Sequence, residues 1–229
     1  MRSLVSLVTC FICTSVALAQ TTDSTGPLTQ KGAQRAICTS KVKSYQDGTL
    51  YTCQVANTFL VEGIYIPSGS NISFRPNGEV DIAWLGKDSA VYGQILPTGT
   101  ALFFSPGGKL RHFWLPHDTV LQGHLVRAQD DGAGSRLHPN GKLLAIWLVQ
   151  DEIIDGVPCT SSGNVLRMGF GVIWLGTQRM AWFHDNGHLQ QAMLSQDFIL
   201  QGRSFKKGEI ISLSPDGQVD MNAKKLSKW

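Results

Sequence analysis

Residues 72–93, ISFRPNGEVDIAWLGKDSAVYG, decide the fold, because most of the chain is this segment repeated with substitutions. With Gly78 as origin, equivalent glycines stand at Gly48, Gly108, Gly141, Gly187 and Gly217, so that successive spacings are 30, 30, 33, 46 and 30 residues. A second glycine follows fifteen residues after each of the first five origins, at Gly63, Gly93, Gly123, Gly156 and Gly202. Asp88, Asp118, Asp151 and Asp197 stand ten residues after their origins, with Thr58 in that place in the first unit. Six residues after the origin come Trp84, Trp114, Trp147 and Met193, each followed by leucine. Marks held in phase in this way identify a repeat protein.

Pro76-Asn77-Gly78 suits a three-residue hairpin loop, with proline opening a type I turn and glycine taking the left-handed position of a bulge. The register this loop imposes pairs Phe74 with Val80, Phe104 with Leu110, Leu137 with Leu143, Phe183 with Leu189 and Leu213 with Val219, all apolar. The adjoining pairs, Arg75 with Glu79, Ser105 with Lys109, His138 with Lys142, His184 with His188 and Ser214 with Gln218, are all polar. Alternation across both arms predicts a hairpin with one buried face, since a one-residue slip would turn it inside out. A bend at the repeated aspartate then leads to a third extended run such as 89–96, and Pro97-Thr98-Gly99 leads onward. The predicted fold is all-β, an antiparallel repeat meander of units of about 30 residues, with a β-solenoid as the alternative. Gly78→Val should then damage the protein more than Gly132→Val, because only Gly78 carries the positive-φ requirement of the loop.

Outward from the repeats, residues 1–19 read as a signal peptide: Met1-Arg2, an apolar run, then Ala17-Leu18-Ala19. Residues 20–36, rich in Thr, Ser, Gly and Gln, read as a flexible leader, 37–220 as the β-repeat domain, and 221–229 as a polar tail. No other run is long enough to span a bilayer, which points to a periplasmic or secreted protein. A net charge of +3 with no dense basic run gives no reason to expect nucleic acid as a partner. Of the cysteines beyond the signal peptide, Cys38 and Cys53 lie close around the first turn, where a bridge would staple the terminal unit; the sequence leaves that pairing open. Cys159 reads as a small buried residue. The period is broken by a polar loop at 127–134 and by an insertion at 159–180, and functional insertions in repeat proteins gather at such breaks.

Candidate chemistry is sparse. The tryptophans at one repeat position would stack as a ladder able to meet sugar rings, but counting by twos from Val80, Leu110 and Leu143 places them on the core face. The repeated aspartates read as turn residues that bond nearby backbone N–H groups, since one acidic ligand per unit is too few for calcium. The second glycines read as strand glycines at a bulge or close approach. The candidate ligand-binding residues are His138, Trp182, His184 and His188, grouped around the large insertion. The sequence implies no cofactor. Its one metal hypothesis is zinc or copper on His184 and His188, opposed across the Asp185-Asn186-Gly187 turn, with His138 as a third ligand.

The phrases Phe74-Arg75-Pro76-Asn77-Gly78-Glu79-Val80 and Leu137-His138-Pro139-Asn140-Gly141-Lys142-Leu143 resemble the hairpin phrase of bacterial MORN-variant repeats, over roughly residues 44–219. The period here is longer, and the Gly-x-Gly of standard MORN units is absent. The resemblance implies an elongated all-β interaction scaffold and brings no catalytic residues. The expected function is an exported, non-enzymatic repeat scaffold that binds a protein or glycan partner outside the cytoplasm. The alternative is a polysaccharide-active hydrolase or lyase with its site at 159–184.

Overall fold

The computed structural model describes residues 37–128, 134–161, 167–168, 171–172, 180–223 and 226. The expectations for the signal peptide, the leader and Gly132, and most of those for the insertion, lie outside these residues. The protein is all-β. Strands Cys38–Ser44, Leu50–Val55, Asn71–Phe74, Val80–Trp84, Ala101–Phe104 and Leu110–Trp114 pair in that order. Arg136–Leu137, Leu143–Ile146, Ala181–Phe183, Leu189–Met193 and Ile210–Ser212 form a second sheet in that order. An antiparallel bridge between Phe113 and Ser135 joins the two.

The hairpin loops follow the register set by the Pro-Asn-Gly phrase. Phe74 pairs with Val80, Phe104 with Leu110, Leu137 with Leu143, Phe183 with Leu189 and Leu213 with Val219. In the loop itself Arg75 N–H donates to the Glu79 carbonyl at 2.8 Å, and Gly78, at φ 87°, donates to Arg75. The loop works because only glycine adopts that backbone without a Cβ penalty.

The run at 89–96 is not one extended segment. Ser89–Val91 pairs with Gln94–Leu96, and the chain reverses at Tyr92-Gly93, whose φ values of 49° and 82° are those of a two-residue primed turn. Glu62-Gly63, Gln122-Gly123, Asp155-Gly156 and Gln201-Gly202 do the same. The second glycine of each unit is therefore a turn glycine rather than a strand glycine. Each short hairpin is a folded-over connection: the chain leaves the sheet after Leu85, makes the excursion, and returns at Thr100, where Leu85 N–H meets the Thr100 carbonyl at 2.9 Å. The sheet stays a meander, and the excursions cover one of its faces.

That covered face holds the core. Sheet residues such as Ile72, Phe74, Leu102 and Phe113 and short-hairpin residues such as Ile64, Leu96, Leu121 and Val157 belong to one continuous buried cluster running from Leu50 to Leu213. Burial of this apolar surface is the dominant stabilising term.

The repeated aspartates fasten each excursion at its base. Asp88 Oδ1 accepts from the Thr98 N–H at 2.8 Å, Asp118 from Ala128 at 2.7 Å, Asp151 from Ser161 at 2.7 Å and Asp197 from Lys207 at 2.9 Å. The partner is ten residues away, across the mouth of the short hairpin, rather than in an adjacent turn. At the other end the excursion's tip grips the next unit's loop. Gln122 Nε2 donates to Gly141 O at 2.7 Å, Asp155 Oδ2 accepts from Leu189 N at 2.7 Å, and Gln201 Nε2 donates to Gly217 O at 3.0 Å. At the first unit a disulfide joins Cys38 to Cys53, with Cα atoms 5.7 Å apart.

Candidate functional site

The face of the sheet turned away from the core carries the tryptophans, contrary to the count by twos. In each hairpin the partner of the residue before the apolar pair is displaced by one: Ser73 pairs with Ile82, Phe103 with His112, Arg136 with Ala145 and Trp182 with Gln191. Asp81, Arg111, Leu144 and Gln190 are thus bulge residues, and a bulge of one residue flips everything beyond it. Ala83, Phe113 and Ile146 turn into the core, while Trp84, Trp114 and Trp147 turn outward.

Two cross-strand rows result. One runs Gln54, Asn71, Trp84, Ala101, Trp114, and the next runs Thr52, Ser73, Ile82, Phe103, His112. Ala101, itself buried, is the small residue paired between the two tryptophans. Phe103 stacks on His112 with centroids 4.5 Å apart and planes inclined by 16°, and meets Trp114 at 4.4 Å, tilted. Trp84 is the exposed end of this array, at 37%. Gly134 lies under it, since a Cβ there would stand 2.5 Å from Phe113 O and 2.7 Å from a Trp114 ring carbon.

Beyond Trp114 the same face becomes more enclosed. Ala145, Trp147, Met180 and Trp182 form a second small buried cluster, with Leu226 packed on it and donating its N–H to Gln191 Oε1 at 2.8 Å. The end of the chain thus places an apolar residue on the sheet within the segment read as a polar tail. The Arg136 guanidinium lies 5.8 Å from the centroid of the Trp182 ring, within cation–π range. Burial, with Arg111 nearby, pushes Arg136 down to about 10. Burial first, then Arg111 and Arg136, pushes His112 down to about 4, so its ring is neutral at physiological pH.

The sequence-predicted residues sit in two places. Trp182 belongs to the enclosed cluster just described. His138 and His184 hold equivalent positions and serve the joints between hairpins: His138 Nε2–H donates to Phe183 O at 3.0 Å and His184 Nε2–H to Leu213 O at 2.9 Å. Tyr45 and Arg75 occupy the same repeat position and do the same, to Phe74 O at 2.9 Å and Phe104 O at 2.6 Å. His184 and His188 are opposed across their turn through the His184 N–H to His188 O bond, but His188 turns its Nδ1 toward Asp155 Oδ2 at 3.3 Å. Among the described residues no group of three or more His, Cys, Asp or Glu side chains is placed to hold a metal ion.

Phe103, His112 and Arg136 escaped the sequence reading. Without the bulge at Arg111 they distribute to both faces, whereas with it they converge beside Trp114. The only signal for them is the aromatic run His112-Phe113-Trp114 beside the broken loop.

No family model matches the chain, and no curated protein matches it. A solved structure described as alternansucrase in complex with isomaltononaose is 15% identical with a TM-score of 0.13, and covers 78% of this chain and 16% of that one. Among the described residues no helix is long and apolar enough to cross a membrane.

Proposed function

We propose that the protein is an exported, non-enzymatic repeat scaffold that binds a glycan on the sheet face turned away from the core, at its exposed Trp84 edge. One observation carries the reading: Trp84, Phe103 and Trp114 lie on adjacent rows of the sheet face turned away from the core, around Ala101, as an aromatic cluster with Trp84 at its exposed edge. Pyranose rings present apolar C–H faces that stack on such surfaces, and a platform held by sheet hydrogen bonds loses little freedom on binding. The likeness of the hairpin phrase to MORN-variant repeats supports the scaffold part of this proposal, and residues 1–19 support export.

The test is titration of purified protein with a panel of soluble oligosaccharides, read by tryptophan fluorescence and calorimetry. Binding to at least one class is expected, without turnover. Trp84→Ser, at an exposed position, should weaken that binding by roughly 5–10-fold, the equivalent of about 1 kcal/mol of lost ring contact. Absence of binding across the panel removes the proposal, and turnover of any member replaces it with the hydrolase or lyase alternative.

A further inference from the structure

The short hairpins present a second surface, on the opposite side of the molecule from the aromatic platform. Each arm has three residues, and in a strand that turns its ends toward the core the middle residue points away from it. Polar residues would serve at these middle positions at no cost to the fold. Instead Leu60 pairs with Tyr65, Ala90 with Ile95, Val120 with Leu125, Ile153 with Pro158 and Ile199 with Ser204. Eight of these ten residues are aliphatic and none is charged, and all but the half-buried Leu125 and the buried Pro158 are exposed. Tyr65, Ile95, Val120, Ile153 and Ile199 are each more than half exposed, with Ile153 at 72%. Scattered single hydrophobics on a surface need no explanation, but an aligned row of them marks an interaction site.

We infer that this row is the interface of a homodimer, in which the short-hairpin faces of two copies pack together about a twofold axis lying in the contact plane. The period of the surface selects the occupant. Each unit contributes one of the residues that are more than half exposed, Tyr65, Ile95, Val120, Ile153 and Ile199, so the row repeats its projections once per unit. The surface certain to carry the same period is another copy of this chain, and twofold contacts are self-complementary by construction. The area fits as well. Five units of two strands span about 48 Å, and three residues span about 10 Å across, so two such faces remove on the order of 1,000 Å² of surface, which is the lower limit for a specific contact. A lipid surface is a poorer match, because the row offers no basic residue to hold headgroups.

Sedimentation velocity of the purified full chain at about 1 to 100 µM should give a concentration-dependent monomer–dimer equilibrium. Ile153→Lys with Ile199→Lys should weaken it by about 100-fold or more, with an unchanged circular dichroism spectrum because both side chains are exposed. The gentler pair Ile153→Ser with Ile199→Ser should weaken it less, and Trp84→Ser, on the opposite side, should leave it intact. Ile153→Cys should give a covalent dimer with a short bis-maleimide. A wild-type monomer throughout the range, an equilibrium indifferent to both double variants, or a monomer that binds phosphatidylcholine vesicles each overturns the inference.

Discussion

The Nε2–H of His184 donates to the carbonyl oxygen of Leu213, 2.9 Å away in the next hairpin. That carbonyl belongs to the last residue before a loop, where the ladder of the sheet runs out and its oxygen would otherwise face inward without a backbone partner. The same repeat position supplies a phenol at Tyr45, a guanidinium at Arg75 and an imidazole at His138, three unlike groups performing one task. Ser105 and Ser214, at the same position, carry a hydroxyl close to the backbone and donate instead to the Lys109 and Gln218 carbonyls of their own loops.

His184→Ala should therefore lower stability by about 1 kcal/mol, the usual net worth of such a bond. Zinc added to metal-free protein should leave the melting temperature unchanged in both wild type and variant. Tight stoichiometric zinc binding that disappears with His184→Ala would reassign this histidine as a ligand.

His112 gives the protein a pH limit. Burial holds its folded value near 4, below the ordinary value of 6.5, so the unfolded chain takes up a proton more readily than the folded one. The contribution of the neutral ring is complete above about pH 6.5 and is lost as the pH falls toward about 4, on the order of 2–3 kcal/mol over that window. Urea denaturation of wild type and His112→Phe at pH 7, 5.5 and 4.5 checks this. Parallel pH dependences would show that the ring takes up its proton without opening the site.

The base of each excursion should titrate at lower pH. Backbone donation from Thr98 holds the Asp88 carboxyl below its ordinary value, and donation from Lys207 does so for Asp197. A depressed carboxyl stabilises the fold above its unfolded value near 4, and the effect fades as the pH drops through the folded one. Asp88→Ala should lower the urea midpoint at pH 7, with the gap from wild type closing in acid. A gap independent of pH would mean that the side chain acts through packing alone.

Reduction should loosen the first unit selectively. The Cys38–Cys53 bridge closes a loop with a sequence separation of 15, which chain entropy values at about 3 kcal/mol. Cys159 is fully buried, and its thiol is pushed up to about 12 by that burial. Folded protein lacking residues 1–19, which carry Cys10 and Cys13, should with the bridge intact therefore show no rapid thiol labelling. Prompt modification of Cys159 would place it at the surface.

The hairpin registers were legible because two constraints agree at each loop: a three-residue turn ending in glycine, Pro-Asn-Gly at 76–78 and 139–141, fixes the turn, and apolar pairs such as Phe74 with Val80 fix which face is buried. The outward tryptophans were not legible, because the bulges at Asp81, Arg111, Leu144 and Gln190 have no common residue type and a period-two count runs straight through them. The reversal at Tyr92-Gly93 was hidden for a related reason. Glu62, Tyr92, Gln122, Asp155 and Gln201 all sit at positive φ, yet only Asp155-Gly156 is a pair that announces such a turn, and the other four units carry Glu, Tyr or Gln there. Gln122 is held there by what its tip reaches in the next unit, at Gly141 and Leu143. The platform residues inherit both difficulties, because a site on the far side of a bulge is assembled by a kink that leaves no mark in the residue types.

Because every excursion begins and ends at neighbouring strands, one whole unit crosses the sheet out and back and hands the chain on in the direction it arrived. Strands 71–74 and 101–104 both run antiparallel to the strand between them, and so parallel to each other. A unit duplicated or deleted at its loops changes neither the heading nor the register of the units after it, and alters the molecule's length by about 10 Å. The architecture is therefore a ruler with a fixed division, able to set the distance between whatever is attached at its two ends by the number of divisions alone.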